Sequence, residues 1–424
     1  MHQKQYHRWL SRTLCFAIGS VLAAGNLGAQ PAPLTLKQAF DAAWSRQPES
    51  QSLSARRETA VARRQSADSW TAEPPALEVA TKTDQLNKNQ GSREYVAGIA
   101  LPLWLPGERS RLATLADAEA KATASRVLAA QLRTSAAVRE TWWAWHRARI
   151  DYELAQERLN GARRLALDVV RRVNAGDLAR SDQHQADGAA AIAEVALAET
   201  NSVLAATTQH LRALIGIVPG APGSLGTEIS NAGEPTPAVP ADFAALDTSH
   251  PAVIEFLDRA EVARRGAELA EVQTRANPEL TLATTRDRGM AGDPYQQTVT
   301  IGLRFPFGSD SRNRAKAGLA RAEAIEAEGQ LRIERDRQIA DLEAARVRVE
   351  SARQQLAAAD KRVQLARESK GFFEKSFHLG ETDLPTRLRI EFEAAEAERQ
   401  AARTRIDMAA AVSVLRQALG LLPE

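Results

Sequence analysis

Cysteine is nearly absent, since the one copy in 424 residues is Cys15. Aromatics are scarce too, at 5% of the chain against 44% hydrophobic residues overall. A single thiol excludes a disulfide framework and a Cys-based metal site. Few aromatics, with alanine and charged residues in their place, point to long packed helices instead of an ordinary globular core. Charge of one sign is also missing: 55 Lys+Arg face 53 Asp+Glu, for a net of +2. With no basic excess, nucleic acid is excluded as a partner. After residue 30 there is no uncharged run of eighteen apolar residues, so no membrane-spanning helix is expected. Signatures of catalysis are lacking as well: no Gly-rich phosphate loop, no G-x-S-x-G elbow and no H-E-x-x-H. Five histidines follow residue 30 (His146, His184, His210, His250 and His378), and none pairs with another at i, i+4. His184 beside Asp182 and Asp187 reads as a solvated helix face. The expectation is a protein that is not an enzyme and needs no cofactor or resident metal.

Residues 1–29 read as a secretory signal. Lys4, Arg8 and Arg12 form its basic start, Leu14 to Ala24 its apolar stretch, and Leu27-Gly28-Ala29 a cleavage site before Gln30. That stretch is too short for a bilayer, which needs about 20 residues.

The remainder is a duplication. Residues 94–102 (EYVAGIALP) echo 298–306 (TVTIGLRFP), pairing Gly98 with Gly302 and Pro102 with Pro306 at an offset of 204. The same offset pairs Gly176 with Gly380, Leu211-Arg212 with Leu415-Arg416, and Gly216 with Gly420. Pro48 and Pro75 match Pro251 and Pro278 at 203. The first repeat spans 30–216 and the second 251–424, joined by a Pro/Gly-rich linker at 217–250. Each repeat opens with one helix, over 35–71 and 251–276, stopped by Glu73-Pro74-Pro75 and by Asn277-Pro278. A β-hairpin follows, with strands at 77–83 and 94–102 in one copy, and at 279–286 and 297–305 in the other. Tyr95, Ala97, Ile99 and Leu101 share one strand face, as do Val299, Ile301, Leu303 and Phe305, with polar or small residues opposite.

Two long helices close each copy, over 109–174 and 181–215, then 313–377 and 384–421. Leu342, Val349, Leu356 and Val363 recur every seven residues, with Ala345, Ala352, Ala359 and Ala366 three places after each. Val138, Trp145, Tyr152 and Leu159 repeat that phase in the first copy. Such heptads mark coiled-coil packing, and alanine at every second seam position brings the backbones close. Trp142, Trp143 and Trp145 are not a membrane-interface belt, because they lie about 50 Å down the helix from the strands. They read as core.

Four strands leave two open edges, and lipid tolerates no unpaired backbone groups. The sheet therefore stays in water, packed on helices, or recruits further copies into a barrel with lipid outside and water inside. Three chains would supply twelve strands, wide enough for an aqueous lumen.

In this order of elements the sequence resembles the TolC family of outer-membrane efflux channels. In particular it resembles the heavy-metal branch, the outer-membrane component of cobalt–zinc–cadmium-type and copper/silver-type exporters. The likeness is carried by Leu34-Thr35-Leu36 with Ala39, by Leu101-Pro102 followed by Pro106-Gly107-Glu108-Arg109-Ser110-Arg111, by Asn277-Pro278-Glu279-Leu280, and by Gly380-Glu381 with Leu384. It covers nearly the whole chain beyond residue 30. The resemblance implies a mainly α fold with a small β part: a homotrimer whose α-barrel tunnel crosses the periplasm and joins a twelve-stranded β-barrel in outer-membrane lipid. It also implies a periplasmic adaptor and an inner-membrane resistance–nodulation–division pump as partners, with gated passive conduction of cargo. The chain departs from some relatives in having no cysteine after the signal to carry a lipid.

By the same resemblance the helix-to-helix turns at Gly176 and Gly380 are the periplasmic tips. Gly176, Asp177, Ser181 and Asp182, with Gly380, Glu381, Thr382 and Asp383, would dock the adaptor and narrow the pore, and the carboxylates would form acidic rings that favour cations. Helix capping alone also explains the glycines and the acids that follow them. Two other readings stand beside the metal channel: a periplasmic coiled-coil adaptor or structural protein without a pore, and a multidrug channel.

Overall fold

The computed structural model describes residues 34–87, 89–216, 233–239, 249–308 and 310–424. The expected signal at 1–29 and most of the linker lie outside them. The chain runs α1 (Leu36–Ser45), α2 (Pro48–Gln51), α3 (Leu53–Ala67), β1 (Ala76–Thr83), β2 (Arg93–Pro102), α4 (Glu108–Ala175) and α5 (Arg180–Ile215). The second copy follows as α6 (Pro251–Val272), β3 (Glu279–Arg288), β4 (Gln296–Arg304), α7 (Asp310–His378) and α8 (Leu384–Ala418). Strands and long helices thus fall where the repeat places them.

The opening helix of the first copy departs from expectation. It is not continuous over 35–71 but breaks into α1, α2 and α3. Pro48 lacks an N–H and forces the residue before it out of the helical region, so Gln47 is extended (ψ 139°) and Pro48 starts a new helix. Its partner in the repeat, Pro251, likewise occupies the first turn of α6. That helix also ends early, at Val272 instead of 276, because Gln273 leaves helical geometry (ψ 60°). At α1, the Thr35 hydroxyl accepts the Gln38 amide (3.2 Å) and the Gln38 carboxamide accepts the Thr35 amide (3.0 Å), a reciprocal N-cap.

The strands form one antiparallel sheet in the order β1-β2-β3-β4, so the middle pairing joins the two copies. Its register builds rows of one chemistry. Leu77, Ile99, Leu282 and Ile301 lie abreast, flanked by Leu101, Leu280 and Leu303 on one side and by Val79, Ala97, Thr284 and Val299 on the other. The opposite face carries Glu78, Gly98, Ala283 and Thr300 abreast, then Ala80, Val96, Thr285 and Thr298. β1 and β4 are the edges, and every residue of β1 is exposed.

α4 spans 68 residues and α7 69, each about 100 Å at 1.5 Å per residue. Near the sheet the helices form a layer in the order α3-α4-α6-α7; farther out the order is α5-α4-α8-α7. Seam residues Leu342, Ala345, Val349 and Ala352 pack on Ala411, Leu415 and Ala418 of α8, and Ala359 and Val363 on Ala397 and Ala401. By length and composition α5 is also apolar enough to cross a bilayer, against expectation. Its hydropathy comes from alanine, its middle carries Glu194 and Glu199, and it packs along α4.

The largest core lies where the two layers meet. Trp142, Trp143 and Trp145 pack with Val138, Leu211, Ile215, Leu34, Leu36 and Phe40. His146 sits among the three indoles, with ring centroids 5.1–5.5 Å away. Beside this core, a buried ionic network ties the linker to both copies. Glu234 takes two hydrogen bonds from Arg139 (2.7 and 3.0 Å) and lies 3.1 Å from Arg416 Nε, all three side chains being 3–4% exposed. Ser413 bridges Glu234 to the Trp143 indole N–H, and Arg139 reaches Gln417 (2.7 Å) and the Leu421 carbonyl (3.0 Å).

Removing Glu234 leaves the buried Arg139 without an anion and Arg416 with only the exposed Glu424, 2.7 Å away, so E234A should cost about 3–5 kcal/mol. Thermal melting of the purified protein tests this, and an unchanged melting temperature would overturn the network's role. Burial first, then the Arg149 charge, lowers the pKa of His146 to about 4. The unfolded chain therefore binds a proton that the folded chain refuses between pH 6.5 and 4. Stability falls as pH drops through that window, by about 3 kcal/mol per chain at its lower end. In H146F melting curves from pH 7 to 4, this acid loss should shrink relative to wild type.

Candidate functional site

The two helical hairpins end side by side. α4 stops at Gly176 (φ 88°) and α7 at Gly380 (φ 79°), left-handed positions that suit glycine. Both turns have the same pair of backbone hydrogen bonds. Gly176 N–H donates to the Val173 carbonyl (3.1 Å) and Asp177 N–H to Arg172 (2.9 Å). Gly380 N–H donates to Phe377 (3.1 Å) and Glu381 N–H to Ser376 (2.9 Å).

Of the expected tip residues, Asp182 and Asp383 are occupied in starting the next helices. The Asp182 carboxylate accepts the Ala179 amide (3.0 Å), and Asp383 accepts that of Thr386 (3.3 Å). Hydrogen bonds from Thr386 hold the Asp383 carboxyl below its ordinary pKa. Thr382 is half-buried against the Ser376 hydroxyl, 2.6 Å away. Asp177, Ser181 and Glu381 are exposed.

Three tip residues escaped the sequence reading. Phe377, 2% exposed, is the hub that joins the hairpins, packed with Leu165, Ala166, Val169, Ala186 and Leu384. It lies two heptads beyond Val363, so the seam phase carries a signal for it. The guanidiniums of Arg172 and Arg387 stand 4.9 and 4.7 Å from its ring centroid. Arg172 also donates to the Phe377 carbonyl (3.3 Å) and meets His378 Nδ1 (2.9 Å), while Arg387 is held by Glu391 (3.0 Å). Nothing in the sequence singles out either arginine. Among the described residues no three His, Cys, Asp or Glu side chains are grouped to hold a metal.

At the other end, the motifs behind the family resemblance meet where helices join the sheet. Glu108, 4% exposed, accepts the Leu105 amide (3.1 Å), the Asn277 carboxamide (2.7 Å) and that of Gln273 (2.8 Å). Asn277 also donates to the Leu103 carbonyl (2.9 Å), and Leu103 N–H to that of Pro278 (2.7 Å). The junction thus fastens the start of α4 to the entry of β3.

No family model and no curated protein matches the chain. Solved structures do. The chain is similar to CusC, studied for conformational changes accompanying folding and transmembrane channel formation, with a TM-score of 0.75 at 15% identity over 91% of this chain and 92% of that one. It is similar to the CmeC outer membrane channel of Campylobacter jejuni (0.72, 14%, 91% and 85%) and to the outer membrane protein VceC of Vibrio cholerae (0.70, 15%, 91% and 96%). The chain therefore has the fold of these proteins: paired long helices joined to a four-stranded antiparallel sheet. The likeness does not single out a heavy-metal branch.

Truncating the tip hub, F377A, should cost about 3–5 kcal/mol locally. Hydrogen exchange at residues 165–186 and 370–390 should accelerate while the Trp142 core stays protected. Equal protection in mutant and wild type would remove Phe377 from its role.

Proposed function

We propose that the chain is one subunit of a homotrimeric outer-membrane channel in a tripartite efflux system. In this reading it takes heavy-metal cations from an inner-membrane resistance–nodulation–division pump through a periplasmic adaptor. The observation that carries it is the amphipathic sheet with both edges open. Three chains placed edge to edge, β4 of one against β1 of the next, give twelve strands with no free edge. The aliphatic rows then face lipid, with Tyr95 and Tyr295 at one end and the exposed Phe305 and Phe307 at the other, an arrangement suited to two membrane interfaces. The same closure pairs α7 of one chain with α5 and α3 of the next. Exposed Ile192, Val195 and Val203 on α5 and Leu319, Ile333 and Val347 on α7 support it.

Charge on the inner face supports cationic cargo. Lys82 lies 3.4 Å from Glu94, and Arg304 lies 3.4 Å from Glu279. Glu78 and Asp287 remain in excess, two net negative charges per chain towards the lumen. The tips would be the gate and the adaptor's docking surface, through Gly176, Asp177, Ser181 and Asp182 with Gly380, Glu381, Thr382 and Asp383. Conduction is passive, and the pump supplies the energy.

A deletion strain and its complemented control, challenged with a toxicant panel, test this reading. The expected outcome is selective sensitisation to cobalt, zinc, cadmium, nickel, copper or silver. Sensitisation to dyes, detergents or antibiotics alone would overturn the metal cargo, and release from cells by osmotic shock without detergent would overturn the channel. For the tips, G176V and G380V each force a β-branched residue to positive φ at a cost of roughly 1–3 kcal/mol. Both should cut resistance, and full resistance with normal trimer yield would sink the tip assignment.

A further inference from the structure

The outward face of the sheet holds three charged strand residues, and all three are arginines at its loop end: Arg93, Arg286 and Arg288. Arg93 and Arg288 stand directly opposite one another across β2 and β3. Like charges so placed repel and weaken a sheet unless an anion lies between them. Yet the carboxylates of these strand ends, Glu94 and Asp287, project from the other face, and none of the three arginines forms an ion pair with a described residue. Arg93 Nε is buried without a hydrogen-bond partner. Two of the guanidiniums, those of Arg286 and Arg288, lie 4.9 and 5.1 Å from the Tyr295 ring centroid, and Tyr95 stands 6.4 Å from Tyr295. Beside this cluster the aliphatic rows dip. Small side chains at Ala97 and Thr284 floor a hollow of about 420 Å³, walled by Val79, Tyr95 and Arg286.

We propose that Arg93, Arg286 and Arg288, with this hollow, form a docking site for a phosphorylated glycolipid of the outer leaflet. The proposal rests on the channel reading, because it requires the aliphatic face to lie against lipid with the β1–β2 and β3–β4 loops outward. Guanidiniums bind phosphate oxygens through paired N–H donors, and a cationic cluster at headgroup level selects anionic lipid. The hollow beneath admits the first carbons of an acyl chain. Cation placement agrees, since arginine on a lipid-facing strand is tolerated near the interface and not at the midplane.

The test uses the full chain, assembled in detergent and titrated with bis-phosphorylated lipid A, with the same lipid stripped of phosphate, and with inorganic phosphate, while thermal melting is followed. The phosphorylated lipid should stabilise the wild type at the lowest concentration, with little shift from the stripped lipid and none from phosphate alone. R93Q/R286Q/R288Q should weaken that binding on the order of a hundredfold at low salt. A97F fills the hollow while keeping all three charges, and it should weaken binding several-fold even where the triple variant does not assemble. Equal affinity for both lipid forms, unchanged affinity in A97F, or a shift reproduced by inorganic phosphate would each overturn the site. Those failures leave wild-type insertion into vesicles intact, whereas failure of the channel reading abolishes insertion itself.

Discussion

A strand edge in hydrocarbon leaves each N–H and C=O without a partner, at several kcal/mol per group. In the proposed reading β1 and β4 are such edges, and the sheet between them is too narrow to close on itself. The helical layers obey the same geometry, since they too are open arcs, ending at α3 or α5 on one side and at α7 on the other. In the proposed reading sheet and helices share one solution, a rotation that sets each open side against its opposite in the next copy. Under the proposed reading the two barrels close together, because α4 and α7 continue outward from β2 and β4.

That continuity depends on the junction. Strands must hand over to helices within a few residues: Pro102 closes β2, and prolines at 106, 278 and 306 lie between elements, where the backbone is in neither regular structure. Glu108 then fixes the angle. Buried, it is satisfied by three neutral donors drawn from its own loop and from the second copy. Its neighbour Arg111 pairs with Glu268 of α6, and Arg265 reaches the same carboxylate at 3.0 Å. The two copies are thus tied at the sheet by β2–β3 pairing, at the junction by Glu108 and midway by Glu234.

Periodic features were the legible ones. Alternation marked β2 and β4, with β1 and β3 read as their hairpin partners, and the heptad placed the seam of α7, because burying one face imposes period 2 or 3.5 on the residues themselves. Gly176 and Gly380 were legible because a left-handed helix end suits one residue type above others. Pro48 carried its signal too, and the break at Gln47 follows from it. What stayed hidden was contact without period. Arg139 and Glu234 are 95 positions apart and Arg139 and Gln417 278, and no local pattern shows that their side chains share one buried network. Arg172 and Arg387 are likewise ordinary surface types until Phe377 brings them together. The arginines of the outward strand face sit in register only once β2 and β3 are aligned, which the pattern within each hairpin does not specify.

Cohesion between the hairpins is unevenly distributed along the helices, and the distribution constrains how the gate of the proposed reading opens. Where the layers meet, large indoles, α1 and the Glu234 network hold α4 to α8 in water-excluded surroundings. In the middle, Arg403 grips the largely buried Asp151 through two bonds of 2.6 Å, and the alanine seam brings backbones close without large interlocking side chains. At the tip what remains is a small cluster around Phe377, with Leu165, Val169 and Leu384, flanked by the buried Arg387 and the partly exposed Arg172. This cluster is smaller than the tryptophan core and has one aromatic ring against its four, so parting the hairpins costs less free energy at the tip than at the equator. A partner that binds the tips works against contacts weaker than those of the equator and with the longest lever. In the proposed reading, opening is then a splay of the outer turns about a fixed equator, with Phe377 as the contact that must yield first.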